Sequence, residues 1–430
     1  MIHNAISFVG IIILLLIAWG FSTNRKRINI RLIGWGIALQ FLFALFVFKI
    51  PAGNRFFFFL NDVVVKIVDA SASGAEFLFG PLALSPGKPG SIGFILAFQA
   101  LPTIIFFSAL ISVLYFFKVM PLIIRGFASV FSRSMNISGA ESVSVASNIF
   151  VGIESVFTIR PHVPTMTRSE LCTVLTTGMA TVASNVLALY VFTLREQFPM
   201  IAGHLVSASL LSAPAAVITS KLLLPEEQIP DTLGKKINPH YERSSNLFEA
   251  IINGANEGVK VVVGVAALLV AVLGLVALVD VVLGALGGKI NVVTGWHFDW
   301  SMKGILGVLF YPFSLIMGVQ PEDAVAVAKI VGERTIATEV AGYKDLALAI
   351  AEGTIKHPRS IVITTYALCG FAHLASMAIF VGGIAALPPT KKKVLSQIGF
   401  RALCAATLAC LITACMAGIF FTDNSILLGN

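Results

Sequence analysis

Hydrophobic positions along this chain gather into eight long runs, separated by short segments that hold most of the charged residues. A helix needs ~20 mainly apolar residues to cross the hydrocarbon core of a bilayer, and each run is close to that length. Because lipid offers no hydrogen-bond partners, such runs are expected to be helical. They lie near residues 5–21, 33–49, 91–116, 169–194, 200–222, 258–287, 359–386 and 402–421. We therefore predict an all-α polytopic membrane protein with about eight transmembrane helices.

Three further segments are apolar but carry too many ionisable groups to face lipid. Residues 53–85 combine a run of phenylalanines with five charged positions, so we predict that they lie along the outer membrane interface. Residues 139–160 and 320–345 include Glu154 and Glu339 respectively. Irregular backbone is tolerated at membrane depth only where it lines a cavity or is buried in protein. We predict that these two segments are re-entrant hairpins, here called hairpin one and hairpin two.

A sequence repeat interrupts the fourth and the seventh run. Residues 178–185 and 370–377 share the pattern Gly-x-Ala-x-(Val/Leu)-Ala-Ser, and a carboxylate precedes each copy, Glu154 in one half and Glu339 in the other. Duplicated, broken hydrophobic helices are typical of the midplane binding site of a secondary transporter. We therefore expect both spans to break near their middle and to form one site together with the hairpins.

Basic residues predict how the chain is oriented. They cluster at 24–31, 118–133 and 391–401, in short segments between the runs. Such clusters favour the cytoplasmic side, which places the N-terminus outside. Hairpin one then enters from the cytoplasm and hairpin two from outside, so the two repeats are predicted to be inverted.

The same reading divides the chain into a scaffold part and a transport part. The predicted scaffold part has spans 1 to 3 with the outer interfacial helix (1–117), and a cytoplasmic loop with span 6 (225–303). The predicted transport part has a first repeat with hairpin one and spans 4 and 5 (118–224), and a second repeat with hairpin two and spans 7 and 8 (304–430).

Composition excludes several functional classes. The chain is 57% hydrophobic and 12% charged, with a mean hydropathy of +0.90, which excludes an ordinary soluble protein. Its net charge of +8 does not indicate nucleic-acid binding, because the basic residues lie in the short loops. The five cysteines form no metal-binding pattern, and no phosphate-binding loop or catalytic triad is present. We predict a transporter rather than an enzyme; a channel remains an alternative, although single acids on hairpins favour an occluded site.

The polar residues of the hairpins and breaks supply the candidate chemistry. Glu154 and Glu339 are functional candidates because a buried charge is costly unless it is paired or used, and a structural ion pair is the alternative. Oxygen-bearing side chains and free backbone carbonyls suit a small hard cation such as Na⁺, or a solute with several hydroxyls. Bonding within their own helices is the other interpretation of these residues. They are Asn148, Thr181, Ser184, Asn185, His373 and Ser376.

Several of these motifs resemble the concentrative nucleoside transporter family over essentially the whole chain. The most specific is Tyr-Ala-Leu-Cys-Gly-Phe-Ala-His at 366–373, which is similar to the family's Y-A-L-C-G-F-A-N; supporting matches lie at 148–152, 159–161, 317–319 and 401–403. The resemblance implies a homotrimer of eight-span subunits in the lipid bilayer, here of a bacterial inner membrane. It also implies uptake of nucleosides coupled to Na⁺, or to H⁺ in some bacterial members.

The resemblance also implies roles for individual residues. Glu339, His373 (an Asn in the family) and Ser376 would bind the ribose, whereas Glu154, Phe371 and Val186 would face the base, with Gly152 and Thr338 beside them. The Na⁺ ligands would be the side chains of Asn148 and Thr181 and the carbonyls of Val151 and Val182. Hairpin one is one residue shorter than the family's G-Q-T-E pattern and lacks its Gln and Thr. The preferred base therefore stays open, as do a different polar solute and H⁺ coupling through Glu154, Glu339 or His373.

Overall fold

The computed structural model describes residues 2–85, 88–241, 244–295, 297–385 and 389–422. Within these ranges the secondary structure is entirely helical, which confirms the all-α prediction. Seven helices there are long and apolar enough to cross a membrane, and they correspond to predicted spans 1 to 6 and 8. Their bounds are Ile2–Gly20, Ile30–Phe48, Leu96–Phe116, Arg168–Leu194, Ile201–Leu223, Leu247–Thr294 and Lys392–Phe420.

The first third of the chain forms peripheral helices. Its elements are α1 (Ile2–Gly20), α2 (Ile30–Phe48), α3 (Pro51–Phe79), α4 (Leu96–Gln99), α5 (Leu101–Phe116) and α6 (Val119–Met135). The third span is therefore two helices, α4 and α5, which meet just before Pro102. The helix α3 covers most of the segment predicted to be interfacial and is not among the seven long apolar helices. The first span, α1, packs along the last long helix, Lys392–Phe420, where a Cβ on Gly10 would stand 3.1 Å from Sγ of Cys415.

The segments predicted to form the two repeats contain the most buried long helices. After α6, the first segment contains α7 (Gly139–Asn148), a 3₁₀ segment (Ile153–Ile159), α8 (Arg168–Ala180), α9 (Ser184–Leu194) and α10 (Ile201–Leu223); the second contains α12 (Met302–Ile316), α13 (Ala324–Arg334), α14 (Glu339–Ala351), α15 (Pro358–Leu368), α16 (Leu374–Ala385) and α17 (Lys392–Phe420). Both predicted breaks are present, between α8 and α9 and between α15 and α16. The two halves of the fourth span are counted together among the seven long helices, whereas α15 and α16, which are separated by the longer segment 369–373, are not.

Hairpin one and hairpin two differ in their second arms. In hairpin one this arm is the 3₁₀ segment, which is closed by Arg160 and Pro161, whereas in hairpin two it is the full helix α14, which continues to Ala351. Ser138 and Glu141 form a capping box that starts α7, and Glu141 also lies 2.6 Å from the buried Nζ of Lys221. Glu141 therefore anchors the base of hairpin one rather than its tip.

The helix α11 (Leu247–Thr294) lies between the repeats in sequence and at the periphery in space. It is longer than the predicted span 258–287, and at 1.5 Å per residue its length of about 70 Å exceeds the ~30 Å hydrocarbon core. It packs against α5 at two glycines: a Cβ on Gly254 would stand 2.7 Å from Cα of Ala109, and one on Gly258 2.6 Å from Cα of Ile105. Small residues let the two backbones approach closely.

Candidate functional site

Hairpin one meets the break in the fourth span. The amide of Ser184, the first residue of α9, donates a 3.0 Å hydrogen bond to the carbonyl of Phe150 in the hairpin tip. Hairpin two meets the break in the seventh span in a comparable way, since the amide of Leu374 donates to the carbonyl of Thr335 at 3.2 Å. Each broken helix therefore satisfies part of its freed backbone with the tip of a hairpin.

Between these two junctions lies a cavity of about 130 Å³, here called the substrate cavity. All eight residues expected at a nucleoside site line it: Gly152, Glu154, Val186, Thr338, Glu339, Phe371, His373 and Ser376. Asn185, another polar candidate from the sequence, also lines it. The remaining lining residues were not predicted as site residues: Ala183, Val261, Val265, Leu268, Leu269, Val340, Ile379 and Phe380. The cavity thus brings together residues from both repeats and from α11.

Glu339 lies at the start of α14, where Thr338 caps the helix by accepting a hydrogen bond from the amide of Ala341. A helix N-terminus favours a carboxylate. Only 4% of the Glu339 surface is exposed. Its Oε1 accepts a 2.7 Å hydrogen bond from the hydroxyl of Tyr190, and its Oε2 lies 2.8 Å from Nε2 of His373. These two neighbours fix the orientation of the carboxylate and leave it free lone pairs for a ligand.

The hydrogen bond made by Nδ1 of His373 indicates which tautomer the neutral ring adopts. Nδ1 of His373 accepts a 3.2 Å hydrogen bond from the amide of Ser376, so in the neutral ring the proton resides on Nε2, the nitrogen that lies 2.8 Å from Oε2 of Glu339. The hydroxyl of Ser376 lies against the carbonyls of Phe371 and His373. His373 and Ser376 therefore brace the non-helical segment between α15 and α16 and present its polar groups to the cavity.

Glu154 stands at the boundary between two spaces. Besides the substrate cavity it lines a larger one of about 380 Å³, here called the vestibule, and Asn185 is the other residue common to both walls. The vestibule is lined further on by His240 and Tyr241, within the predicted cytoplasmic loop, and by Glu257 of α11. Glu154 and Asn185 thus form the threshold between the substrate cavity and the vestibule.

Two of the residues expected to hold Na⁺, Asn148 and Thr181, are both hydrogen-bonded to Thr177. Oδ1 of Asn148 accepts a 2.8 Å hydrogen bond from Ser155, and Nδ2 of Asn148 donates to Oγ1 of Thr177 at 3.2 Å. The hydroxyl of Thr181 donates to the carbonyl of Thr177 at 2.9 Å. The backbone of Val151 lies in the tip of hairpin one.

The carbonyl of Val182 lies in the break of the fourth span, next to Thr181 in sequence. Oxygen ligands suit a hard cation. Within the described ranges no three His, Cys, Asp or Glu side chains cluster as a softer metal would require.

Comparisons with known proteins agree along the whole chain. Three family descriptions match it: "Na+ dependent nucleoside transporter C-terminus" at 204–418, the corresponding "N-terminus" at 9–82, and "Nucleoside recognition" at 97–196. An "Uncharacterized transporter" of Haemophilus influenzae is 34% identical over 96% of this chain and 97% of its own. "Sodium/nucleoside cotransporter 1" of Sus scrofa is 34% identical over 98% of this chain, which spans only 65% of that longer protein.

A solved structure, that of "CNTnw in an inward-facing substrate-bound state", superposes with a TM-score of 0.88 at 31% identity. The superposition covers 98% of this chain and 99% of that one.

Proposed function

Because this chain belongs to the concentrative nucleoside transporter family, we propose that it imports nucleosides across a bacterial inner membrane by symport with Na⁺. It is a multi-pass membrane transporter and not an enzyme. In this proposal its N-terminus is outside, and it works as a homotrimer in which a transport part moves against a scaffold part. The observation that carries the proposal is the oriented carboxylate of Glu339, buried in a cavity at the junction of both repeats.

The first half of the proposed substrate site binds the sugar. A carboxylate can accept two hydroxyl groups at once, and charge-assisted hydrogen bonds of this kind are strong and directional. The vicinal hydroxyls of a ribose fit such an acceptor, and Tyr190 and His373 already hold it in place. Ser376 completes the polar wall on this side of the cavity.

The second half of the proposed substrate site binds the base. Phe371 offers an aromatic face, Val186 an apolar contact, and Glu154 a carboxylate at the edge of the cavity. Gly152 of hairpin one and Thr338 of hairpin two line the same cavity. With the family's Gln and Thr missing from hairpin one, the base edge has few fixed hydrogen-bond partners.

The position of hairpin one explains how Na⁺ binding would be coupled to nucleoside binding. Its tip takes part both in the proposed Na⁺ site, through Asn148 and the Val151 carbonyl, and in the substrate cavity, through Gly152 and Glu154. The remaining proposed ligands, Thr181 and the Val182 carbonyl, lie in the break that hydrogen-bonds to this tip. An ion that orders the tip improves the substrate site, and by linkage the substrate improves ion binding to the same extent.

Release toward the cytoplasm is the proposed role of the vestibule. The threshold of Glu154 and Asn185 joins it to the substrate cavity, and its far wall includes His240 of the predicted cytoplasmic loop. We therefore interpret this structure as an inward-facing state.

A second candidate is H⁺ coupling, and one observation favours it. The 2.8 Å contact between the buried Glu339 and His373 is a carboxylate–imidazole pair, a pair that can carry a proton. The test is uptake by proteoliposomes with Na⁺ and H⁺ gradients imposed separately, using a panel of nucleosides and other polar solutes. Accumulation of a nucleoside against its gradient, driven by Na⁺ alone, supports the proposal. Accumulation only with an H⁺ gradient supports the second candidate, and equilibration without accumulation identifies a channel.

A further inference from the structure

Arg334 is a buried cation in hairpin two that has no carboxylate partner among the described residues. It is the last residue of α13, and 0% of its surface is exposed. Nη1 donates a 3.0 Å hydrogen bond to the carbonyl of Ala367, whereas Nε and Nη2 have no hydrogen-bond partner in the same part of the chain. The adjacent Glu333 is engaged by Lys303 at 2.7 Å. Since a guanidinium stays charged in proteins, something other than a carboxylate must stabilise this one.

The stabilising partner is the end of a broken helix. Ala367 is the penultimate residue of α15, whose last carbonyls have no helical N–H ahead of them. The aligned peptide dipoles also give this end about half a negative charge. Tyr343 of α14 caps the same end, since its hydroxyl donates to the carbonyl of Thr365 at 3.2 Å. The end of α15 is thus a cation site that is filled by a side chain of hairpin two.

The first repeat has a matching position. Asn148 is the last residue of α7, and its Nδ2 donates to Thr177 in the last turn of α8. In both repeats, the final residue of the first hairpin helix therefore contacts the last turn of the first half of a broken span. The first repeat places a neutral amide there, on a residue proposed to bind Na⁺. The second repeat places a guanidinium there.

We propose that Arg334 is an internal cation that takes, in the second repeat, the place that Na⁺ takes in the first, and that it leaves the transporter with one coupling Na⁺ per nucleoside. This inference rests on the proposed function. Arg334 is a positioning residue: it secures hairpin two against α15, and α14 then begins with Glu339 beside His373.

The first test needs no mutation. Radioactive Na⁺ and nucleoside fluxes are measured together in proteoliposomes of the full chain, and the ratio is checked by the membrane voltage at which net flux stops. The expected result is one Na⁺ per nucleoside, with a hyperbolic dependence of uptake on Na⁺ concentration. Two Na⁺ per nucleoside would overturn the inference while leaving the proposed function intact. Failure of the proposed function looks different, because no Na⁺-driven accumulation would then be seen at all.

The second test asks whether the positive charge itself is needed. Arg334→Ala should lower the initial uptake rate by ~10-fold or more, because the helix end loses its cation. Millimolar guanidinium should restore uptake, whereas urea, which has nearly the same shape without the charge, should not. Arg125→Ala, on the exposed part of α6, should respond to neither. Equal rescue by both compounds, or rescue by neither in a variant with an unchanged melting temperature, would overturn the inference.

If Arg334→Ala does not fold, a second pair of variants serves as the test: one keeps the positive charge and the other removes it. Arg334→Lys should keep most of the uptake and the ratio of one Na⁺ per nucleoside, while Arg334→Gln should lose uptake. Similar behaviour of these two variants would contradict a role for the charge.

Discussion

The hydroxyl of Tyr190 donates a 2.7 Å hydrogen bond to Oε1 of Glu339, and this contact joins the second half of the fourth span to hairpin two. The two residues come from different repeats. Tyr190 is itself held by the ring of Tyr343, with 4.5 Å between the ring centroids. A movement of hairpin two is therefore transmitted to α9, and the orientation of the Glu339 carboxylate depends on both repeats.

Tyr190→Phe removes the donor and keeps the ring. We expect nucleoside affinity to fall by roughly 10-fold, since a hydrogen bond to a charged group contributes ~1.5–3 kcal/mol and the carboxylate itself remains. Titration calorimetry of the purified protein measures this. Tyr343→Phe is the matched control, because its hydroxyl bonds the carbonyl of Thr365 and not Glu339. It should lower the melting temperature with little change in affinity, and equal losses of affinity in both variants would contradict the role given to Tyr190.

The broken spans were predictable from local sequence. The repeat placed the breaks at small and polar residues, and the structure ends α8 at Ala180 and α15 at Leu368, next to or within the repeated motifs. The two re-entrant hairpins stay a prediction, which rests on the acids Glu154 and Glu339 in otherwise apolar segments. The start of α11 carried a usable signal too: Asn246 caps the helix by accepting from the amide of Glu249. The predicted span began later, at residue 258, because the first turns of α11 carry charged residues and the prediction relied on apolar runs.

The contacts across repeats were not predictable from one sequence. Tyr190 and Glu339 are far apart in the chain, and nothing in the residues around Tyr190 sets it apart from a buried aromatic of α9. The same holds for Val261 and Val265 of α11, which line the substrate cavity although their helix is otherwise exposed. Such contacts depend on how helices pack, which hydrophobic patterning does not specify. The division into scaffold and transport parts stays a prediction.

Asn148→Leu tests the proposed Na⁺ site. The change removes one oxygen ligand and keeps the number of side-chain heavy atoms, so the Na⁺ concentration for half-maximal uptake should rise by ~10-fold or more. Uptake measured over a series of Na⁺ concentrations gives this value. Ser147→Ala is the control: it removes the neighbouring 3.1 Å contact with Thr158 and none with Asn148. Uptake that is unchanged in Na⁺-free buffer but is abolished by a protonophore would contradict Na⁺ coupling.

His373→Asn separates the two coupling candidates. An Asn, the residue of the family pattern, can offer an N–H group but cannot carry a proton at neutral pH. With Na⁺ coupling, Na⁺-driven uptake should stay within ~10-fold of the wild type, since one hydrogen bond is weakened. With H⁺ coupling through His373, accumulation should vanish although substrate still binds. Parallel uptake and binding measurements distinguish these results.

Base selectivity should be weak. Hairpin one lacks the Gln and Thr of the family pattern, and a site with few fixed polar partners rejects alternative bases poorly. Competition between common nucleosides for uptake of one labelled substrate should therefore give small differences in apparent affinity. A preference of ~10²-fold or more would mean that other side chains read the base, with Glu154 and Asn185 at the threshold as the first to examine.

The most direct test of the central claim is a binding cycle on Glu339, the residue proposed to hold the ribose. Calorimetry compares wild type with Glu339→Gln, each with a ribonucleoside and with its 2′,3′-dideoxy analogue. The account predicts that the substitution weakens ribonucleoside binding by roughly 10- to 100-fold, since charged hydrogen bonds contribute ~1.5–3 kcal/mol each. Binding of the dideoxy analogue should change much less, because its sugar lacks the 2′- and 3′-hydroxyls that the carboxylate is proposed to accept. Equal losses for both ligands would show that Glu339 does not contact the sugar, and would contradict the proposed site.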